Sequence, residues 1–493
     1  MRESERGERP DRDGDRRSFG SVAIGTRAKG ARVSELIDSE VAARVLSRAL
    51  ANGGEFAEVY AERNAGMTMA IDESRIEAVQ SGAATGAGVR VISDGTTYFS
   101  HVDGLDPADI ERAADEAAAA LHAERSEPRP LGAVTGTPQP IAVAPAGVPA
   151  ERKAALLREL DERARGAGGE ITQFTASYAE AHREVCVANS EGLLAEDDRT
   201  RVRIGAQAVA RRDDLVETGA ETLGAHRGFE LFDNDPGSIA DDAARKALTL
   251  LDASPAPAGS MPVVVGGGFG GVLFHEMTGH GLEADHIQKG ASVYVGKLGE
   301  QVAQPLLTAY DDGRLPNEWG SDGVDDEGVP TQKTRVIEDG RLIAYLYDGV
   351  TSRRDGVSST GNGRRESFRH LPVPRMTNTY IAPGDAEPEA MIAEVERGFY
   401  AVSFAGGQVD PATGDFVFGV SEGYLIEGGK VTRPCRGATL IGNCLEALAA
   451  IDAVGNDFEM KTGICGKAGQ RVPVGTGQGH VRIAAMTVGG TEV

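Results

Sequence analysis

Hydrophobic and polar positions along this chain follow two periods, and the switches between them mark its elements. Residues 39–52 place Val41, Ala42, Val45, Leu46, Ala49 and Leu50 on one helical stripe, closed by the cap signal Asn52-Gly53-Gly54. Residues 56–61 and 67–71 alternate as half-buried strands do, and 89–92 and 97–100 flank Asp94-Gly95, a hairpin signal. Asp106-Pro107 supplies a helix N-cap and a proline at the first helical position, with Ile110, Ala113, Ala114, Ala117 and Leu121 as the apolar face. Residues 126–149 are rich in Pro, Ala and Gly and read as a linker or a long surface excursion.

A second run of elements repeats this mixture: a helix over 151–165, strands over 171–178, 184–188 and 201–209, and a helix over 235–251. The Pro- and Ala-rich stretch 251–259 interrupts the pattern and reads as a domain boundary. Beyond it, 335–343 and 424–431 read as hairpins, 445–454 as a short apolar helix, and the chain after Gly463 as glycine-punctuated strand. The expected fold is α+β in two domains: a mixed helix/strand domain over 34–252 and a mostly antiparallel β domain over 260–493. Residues 1–33 are charged and aperiodic, and disorder is expected there.

Composition narrows the function. With 51 basic against 75 acidic residues the net charge is −24, which opposes a phosphate backbone or an anionic bilayer, so neither nucleic acid nor membrane is expected as a partner. No apolar run reaches the roughly 18 residues a span requires, and the N-terminus lacks the apolar core of a signal peptide, so a cytoplasmic location is expected. The four cysteines (Cys186, Cys435, Cys444, Cys465) form no CxxC pair and suggest no disulfide framework.

The candidate chemistry lies at residues 274–285, FHEMTGHGLEAD, after an apolar run and a glycine-rich turn. Two imidazoles, His275 and His280, can hold zinc while Glu276 takes a proton from an activated water, the chemistry of peptide hydrolysis. With nine histidines in the chain, chance gives about 0.025 such matches. The spacing is unusual, because positions i and i+5 lie about 140° apart on a regular helix. Convergence requires a π-type bulge or a break through Met277-Thr278-Gly279, where Gly279 relaxes the backbone. A catalytic zinc also needs a third protein ligand. Glu283, Asp285 and His286 are close enough to ligate or to orient an imidazole, and His370 and Cys465 are remote candidates.

Arg364, Arg365, Arg369, His370 and Arg375 concentrate positive charge in an acidic chain. They read either as oxyanion or carboxylate binders or as members of internal ion pairs. Gly266 to Gly271 satisfies GxGxxG, which admits a dinucleotide-dependent oxidoreductase. The alternating βαβ pattern that such a site needs is absent downstream, and the glycines read better as points of close backbone approach.

From about residue 36 onward the sequence resembles the TldD/PmbA (TldD/TldE) metallopeptidase family, most densely in HEMTGHGLEAD (275–285), TGNGRRESFRHLPVPRMTNT (360–379), GATLIGN (437–443), VGND (454–457) and CGKAGQRVPVG (465–475). The HExxxH stretch with the late cysteine resembles the TldD-type, catalytic member. The resemblance implies His275, His280 and Cys465 as zinc ligands and Glu276 as catalytic base. It also implies unfolded peptides as substrates and a TldE/PmbA-type partner chain lacking the motif, with a homodimer or a non-catalytic scaffold as alternatives. The charged N-terminal extension and the 126–149 stretch depart from the family pattern.

Overall fold

Asp38 caps the first helix, α1 (Ser39–Ala49), its carboxylate accepting from Val41 N at 2.8 Å. The computed structural model describes residues 36–490, so the expected tail over 1–33 lies outside the described residues. After α1 the chain forms β1 (Phe56–Asp72), β2 (Arg75–Ser93), β3 (Thr96–Asp103), α2 (Pro107–Ala118), β4 (Gly132–Val134), α3 (Ala150–Gly166), β5 (Ile171–Asn189), β6 (Leu193–Arg212), β7 (Leu215–Ala225) and α4 (Ser238–Leu251).

Seven strands make one sheet, in the order β3-β2-β1-β5-β6-β4 with β7 also on β6. Its strands are longer than their apolar alternation: the segments read at 56–61 and 67–71 are one strand, paired throughout with β2 and β5. Residues 171–178 and 184–188 likewise merge into β5. The first half of β2 shows no hydrophobic period because it is a long exposed stretch, and β7 shows none because most of its positions are only half-buried, with few apolar residues. Two helix pairs cover one sheet face: α1 and α2 pack on Ala57, Val59, Cys186 and Ala188, and α3 and α4 on Met69, Phe174, Tyr178 and Ile204. Residues 126–149 take the second expected form, a mostly exposed surface excursion; they contribute β4 and are tied to the second half through Gln139 Oε1, which accepts from Asn317 N at 2.6 Å.

Beyond Leu251 the fold is mostly β. The strands Arg397–Val409, Gly259–Val265, Val481–Gly489, Thr439–Asn443 and Asp415–Glu427 pair in that order, and the last pairs back on the first, closing a ring. A second sheet aligns Lys333–Glu338, Ala309–Asp312, Asn378–Ile381, Gln470–Gln478 and Glu459–Lys467. The apolar run at 445–454 splits: Cys444–Ala449 is helical, whereas Ile451–Val454 is a strand on Val481–Gly489. Among the described residues no helix is long and apolar enough to cross a membrane.

Buried charge joins the two halves. Glu58 receives Arg90 at 2.8 Å and Arg365 at 2.5 Å, Arg90 also meets Glu327, and Arg199 bonds Asp326 at 2.6 Å. Arg90, Arg199 and Arg365 are at most 2% exposed, so these pairs lie in the interior.

Candidate metal centre

The strand Gly259–Val265 leads through a glycine turn into the short helix Gly271–Phe274. A Cβ on Gly271 would stand 2.5 Å from Gly477 N and one on Gly266 2.9 Å from Val402 O, so the glycines let this turn lie against two strands. The helix then widens: His275–Gly279 is a π turn in which His280 N donates to His275 O, followed by a tight turn over His280–Leu282. This is the expected bulge, and it returns the two imidazoles to one side with ring centroids 5.2 Å apart. Tyr294 pins the turn, its hydroxyl donating to Met277 O at 3.1 Å. The role expected of Gly279 is corrected. Its φ of −55° and ψ of −54° are ordinary helical values, and what the glycine provides is room for the Met376 side chain, whose Sδ a Cβ there would displace.

Cys465 comes from the strand Glu459–Lys467, and its Sγ lies 3.2 Å from His280 Nε2 and 3.4 Å from His275 Nε2. The three donor atoms lie within 4.8 Å of one another, and all three residues are buried. Zinc–nitrogen and zinc–sulfur bond lengths around a tetrahedral ion give N···S separations of about 3.6 Å, so two nitrogens and a sulfur at these distances fit one ion. Burial pushes the Cys465 thiol up, but the imidazoles of His275 and His280 beside it prevail and hold it at about 4. The thiolate is favoured because the imidazole rings beside it carry positive charge when protonated: burial pushes His280 down, but Glu283 and Cys465 hold it well above the usual histidine range. Binding a cation would displace those ring protons. Glu276 points to the same place, its Oε2 3.9 Å from His280 Nε2 and its side chain 22% exposed.

The segment 373–379 wedges between the two halves. Arg375 is fully buried and donates to Cys465 O at 2.6 Å, while the next residue, Met376, fills the space over Gly279. Asp311 anchors this wedge, accepting from Thr377 N at 2.9 Å, Thr377 Oγ1 at 2.8 Å, Thr379 Oγ1 at 2.9 Å and Asn362 Nδ2 at 2.7 Å. The TGN and TNT pieces of the 360–379 stretch therefore build the support under the site.

The remaining candidates separate. Glu283, Asp285 and His286 also cluster, but Glu283 and Asp285 both bind Lys467, at 3.0 and 2.6 Å, and Glu283 Oε2 accepts from His280 Nδ1 at 3.0 Å. Burial pushes the Glu283 carboxyl up, and His280 with Lys467 more than offsets this, holding it at about 2. His370 bonds Ser367 Oγ at 2.9 Å and is not part of the cluster. Arg365 and Arg369 pair with Glu58 and Asp103, and Arg364 donates to the carbonyls of Met376 and Pro473, both at 2.7 Å. Internal pairing thus accounts for the basic run. Lys467 and Tyr294 escaped the sequence reading of the site, and Arg375 was read there only as a member of the basic run; Lys467 carried a signal, two residues from Cys465 and hence on the same strand face.

A mixed helix and strand fold that gathers two imidazoles and a thiol around one buried point defines the class: a candidate metalloprotein. The chain belongs to the PmbA/TldA metallopeptidase family, its residues 57–121 matching domain 1, 144–251 the central domain and 258–490 the C-terminal domain. It is 40% identical over 450 residues to a metalloprotease TldD homolog of Haemophilus influenzae, covering 89% of this chain and 93% of that one. A metalloprotease of Methanocaldococcus jannaschii is 34% identical over 439 residues, covering 88% and 96%. The fold is shared with TldE from Thermococcus kodakarensis, at TM-score 0.72 and 20% identity over 88% of this chain and 97% of that one. A Thermotoga maritima structure shares it at TM-score 0.74 and 23% identity, over 88% and 96%.

Proposed function

We propose that this chain is a cytoplasmic, zinc-dependent peptidase that hydrolyses unfolded or extended peptides, with His275, His280 and Cys465 as ligands and Glu276 as general base. The observation that carries this reading is the convergence of three donors from the π turn and a remote strand, with a partly exposed carboxylate beside them. A mixed nitrogen and thiolate set suits zinc better than the hard cations, which prefer oxygen.

Zinc, when bound, supplies Lewis-acid polarisation and lowers the pKa of water toward about 7. The chain's own groups do the rest. His275 and His280 offer Nε2 and Cys465 its thiolate, all from rigid elements. Glu276 takes a proton from water as the scissile carbonyl is attacked and returns it to the departing amine. The names of the relatives as metalloproteases support this chemistry. Similarity to a TldE fold supports pairing with a TldE/PmbA-type chain, with a homodimer as the alternative assembly.

Two other readings fare worse. A non-catalytic scaffold has no use for Glu276 beside the donors. A dinucleotide site is disfavoured because the glycine turn packs on neighbouring backbone and opens a helix of only four residues before the π turn.

Metal analysis joined to a peptide-cleavage assay tests the proposal. Wild type carries zinc and cleaves an unstructured peptide, and Glu276→Ala keeps the zinc while losing roughly 10²- to 10⁴-fold in rate. A Glu276→Ala protein as fast as wild type removes the base assignment, and a wild-type protein that cleaves equally well after chelation removes the metal.

A further inference from the structure

The two half-sites are tied together by a contact outside the ligand set. Glu283 follows His280 by three residues at the end of the wide-turn helix, is fully buried, and accepts from His280 Nδ1 at 3.0 Å. Lys467 follows Cys465 by two residues on the same face of its strand, and its side chain is only 9% exposed. Its ammonium lies 3.0 Å from Glu283 Oε2, 2.6 Å from Asp285 Oδ1 and 3.0 Å from Pro374 O. The wide turn thus carries two donors and the tether Glu283, the strand carries one donor and the tether Lys467, and the tethers meet.

We propose that Glu283 and Lys467 are positioning residues of the metal centre: Glu283 fixes the His280 ring with Nε2 turned toward Cys465, and Lys467 holds the Cys465 strand against that carboxylate. This rests on the metal-centre reading above. An imidazole has two nitrogens and can ligate through either, so the acceptor on one decides which faces the ion. Glu283 receives the Nδ1 proton and leaves Nε2 free, at 3.2 Å from Cys465 Sγ. Its charge also raises the basicity of the ring that must bind the cation. Lys467 makes the burial of that charge tolerable and closes a loop running His280, Glu283, Lys467, Cys465. Among the described residues His275 Nδ1, which is buried, meets no such partner. The ordering of the pair therefore depends on the His280 side.

The test measures metal affinity rather than turnover. Zinc dissociation constants come from chelator competition, and the visible spectrum of the cobalt-substituted protein reports thiolate ligation and geometry. Glu283→Gln keeps an acceptor for Nδ1 and loses only the charge, whereas Glu283→Ala loses both. Zinc affinity should fall by about tenfold in the first and approach a hundredfold loss in the second, with altered cobalt bands. Lys467→Met should weaken zinc in the same direction and perturb the thiolate band, and it carries the test if the Glu283 variants do not fold. Wild type that binds no zinc overturns the metal centre itself. Wild type that binds zinc, with variants of equal affinity and unchanged cobalt spectra, overturns the positioning role alone.

Discussion

Cys465 takes its character from what the fold brings to it. Among small neighbours in a strand it reads as an inert buried thiol, yet two imidazoles from residues 190 and 185 positions away stand within 3.4 Å of its sulfur. Cys465→Ala should lower zinc occupancy well below one per chain, as read by metal analysis after gel filtration; full occupancy would move the third ligand elsewhere. His226 shows the opposite case, a histidine held neutral. It is fully buried, and the most consistent assignment has Nδ1 donating to Ser321 O at 2.7 Å while Nε2 accepts from Thr200 N at 3.2 Å, so the ring must keep one proton. Burial, helped by Arg201, pushes its pKa down to about 4. Because the unfolded chain takes up that proton nearer pH 6.5, the stability contribution is complete above about 6.5 and is lost as pH falls toward 4, amounting to about 3 kcal/mol. Urea midpoints of wild type should drop from pH 7 to pH 5 more steeply than those of His226→Gln; parallel profiles would contradict this.

At the scale of elements, the wide turn was legible in advance because geometry demanded it. Two histidines five apart cannot converge on a regular helix, so a π-type bulge or a break was demanded, and the chain takes the bulge. The reason for glycine at 279 was not legible, since it lies in contact with Met376, almost a hundred residues later. Gly279→Ala should therefore act through Met376: zinc affinity falls, and truncation of Met376 to alanine in the same chain restores part of it. A double variant no better than the single one would return the effect to the backbone. Helices with clear stripes and caps, such as α1 and α2, were legible nearly to their ends. The long strands were read only where one face was buried, because pairing with neighbours on both sides carries β1 and β5 through stretches without period.

Over the whole molecule, buried charge marks the junction of the two halves, beside a small apolar cluster of Tyr60, Val185, Val187 and Phe368. The basic run at 364–375 was legible as a cluster with internal pairing as one of two readings, but its partners were not. Its partners Glu58 and Asp326 are distant in sequence, and Asp322 stands 3.6 Å from Arg364. Removing one member leaves the others buried and uncompensated, so Glu58→Ala should cost about 3–5 kcal/mol in denaturant unfolding. Asp115→Ala, at an exposed pair with Arg48, should leave the denaturant midpoint nearly unchanged, because solvent screens that pair. Equal losses would mean that the junction is wetter than its burial indicates. The central claim is that folding assembles one metal centre from a wide-turn helix and a strand that carries the last ligand. X-ray absorption at the zinc edge of the purified, zinc-loaded protein reads this most directly. The account predicts one sulfur at about 2.3 Å and two imidazole nitrogens at about 2.0–2.1 Å in the first shell, and a shell with no sulfur would contradict it.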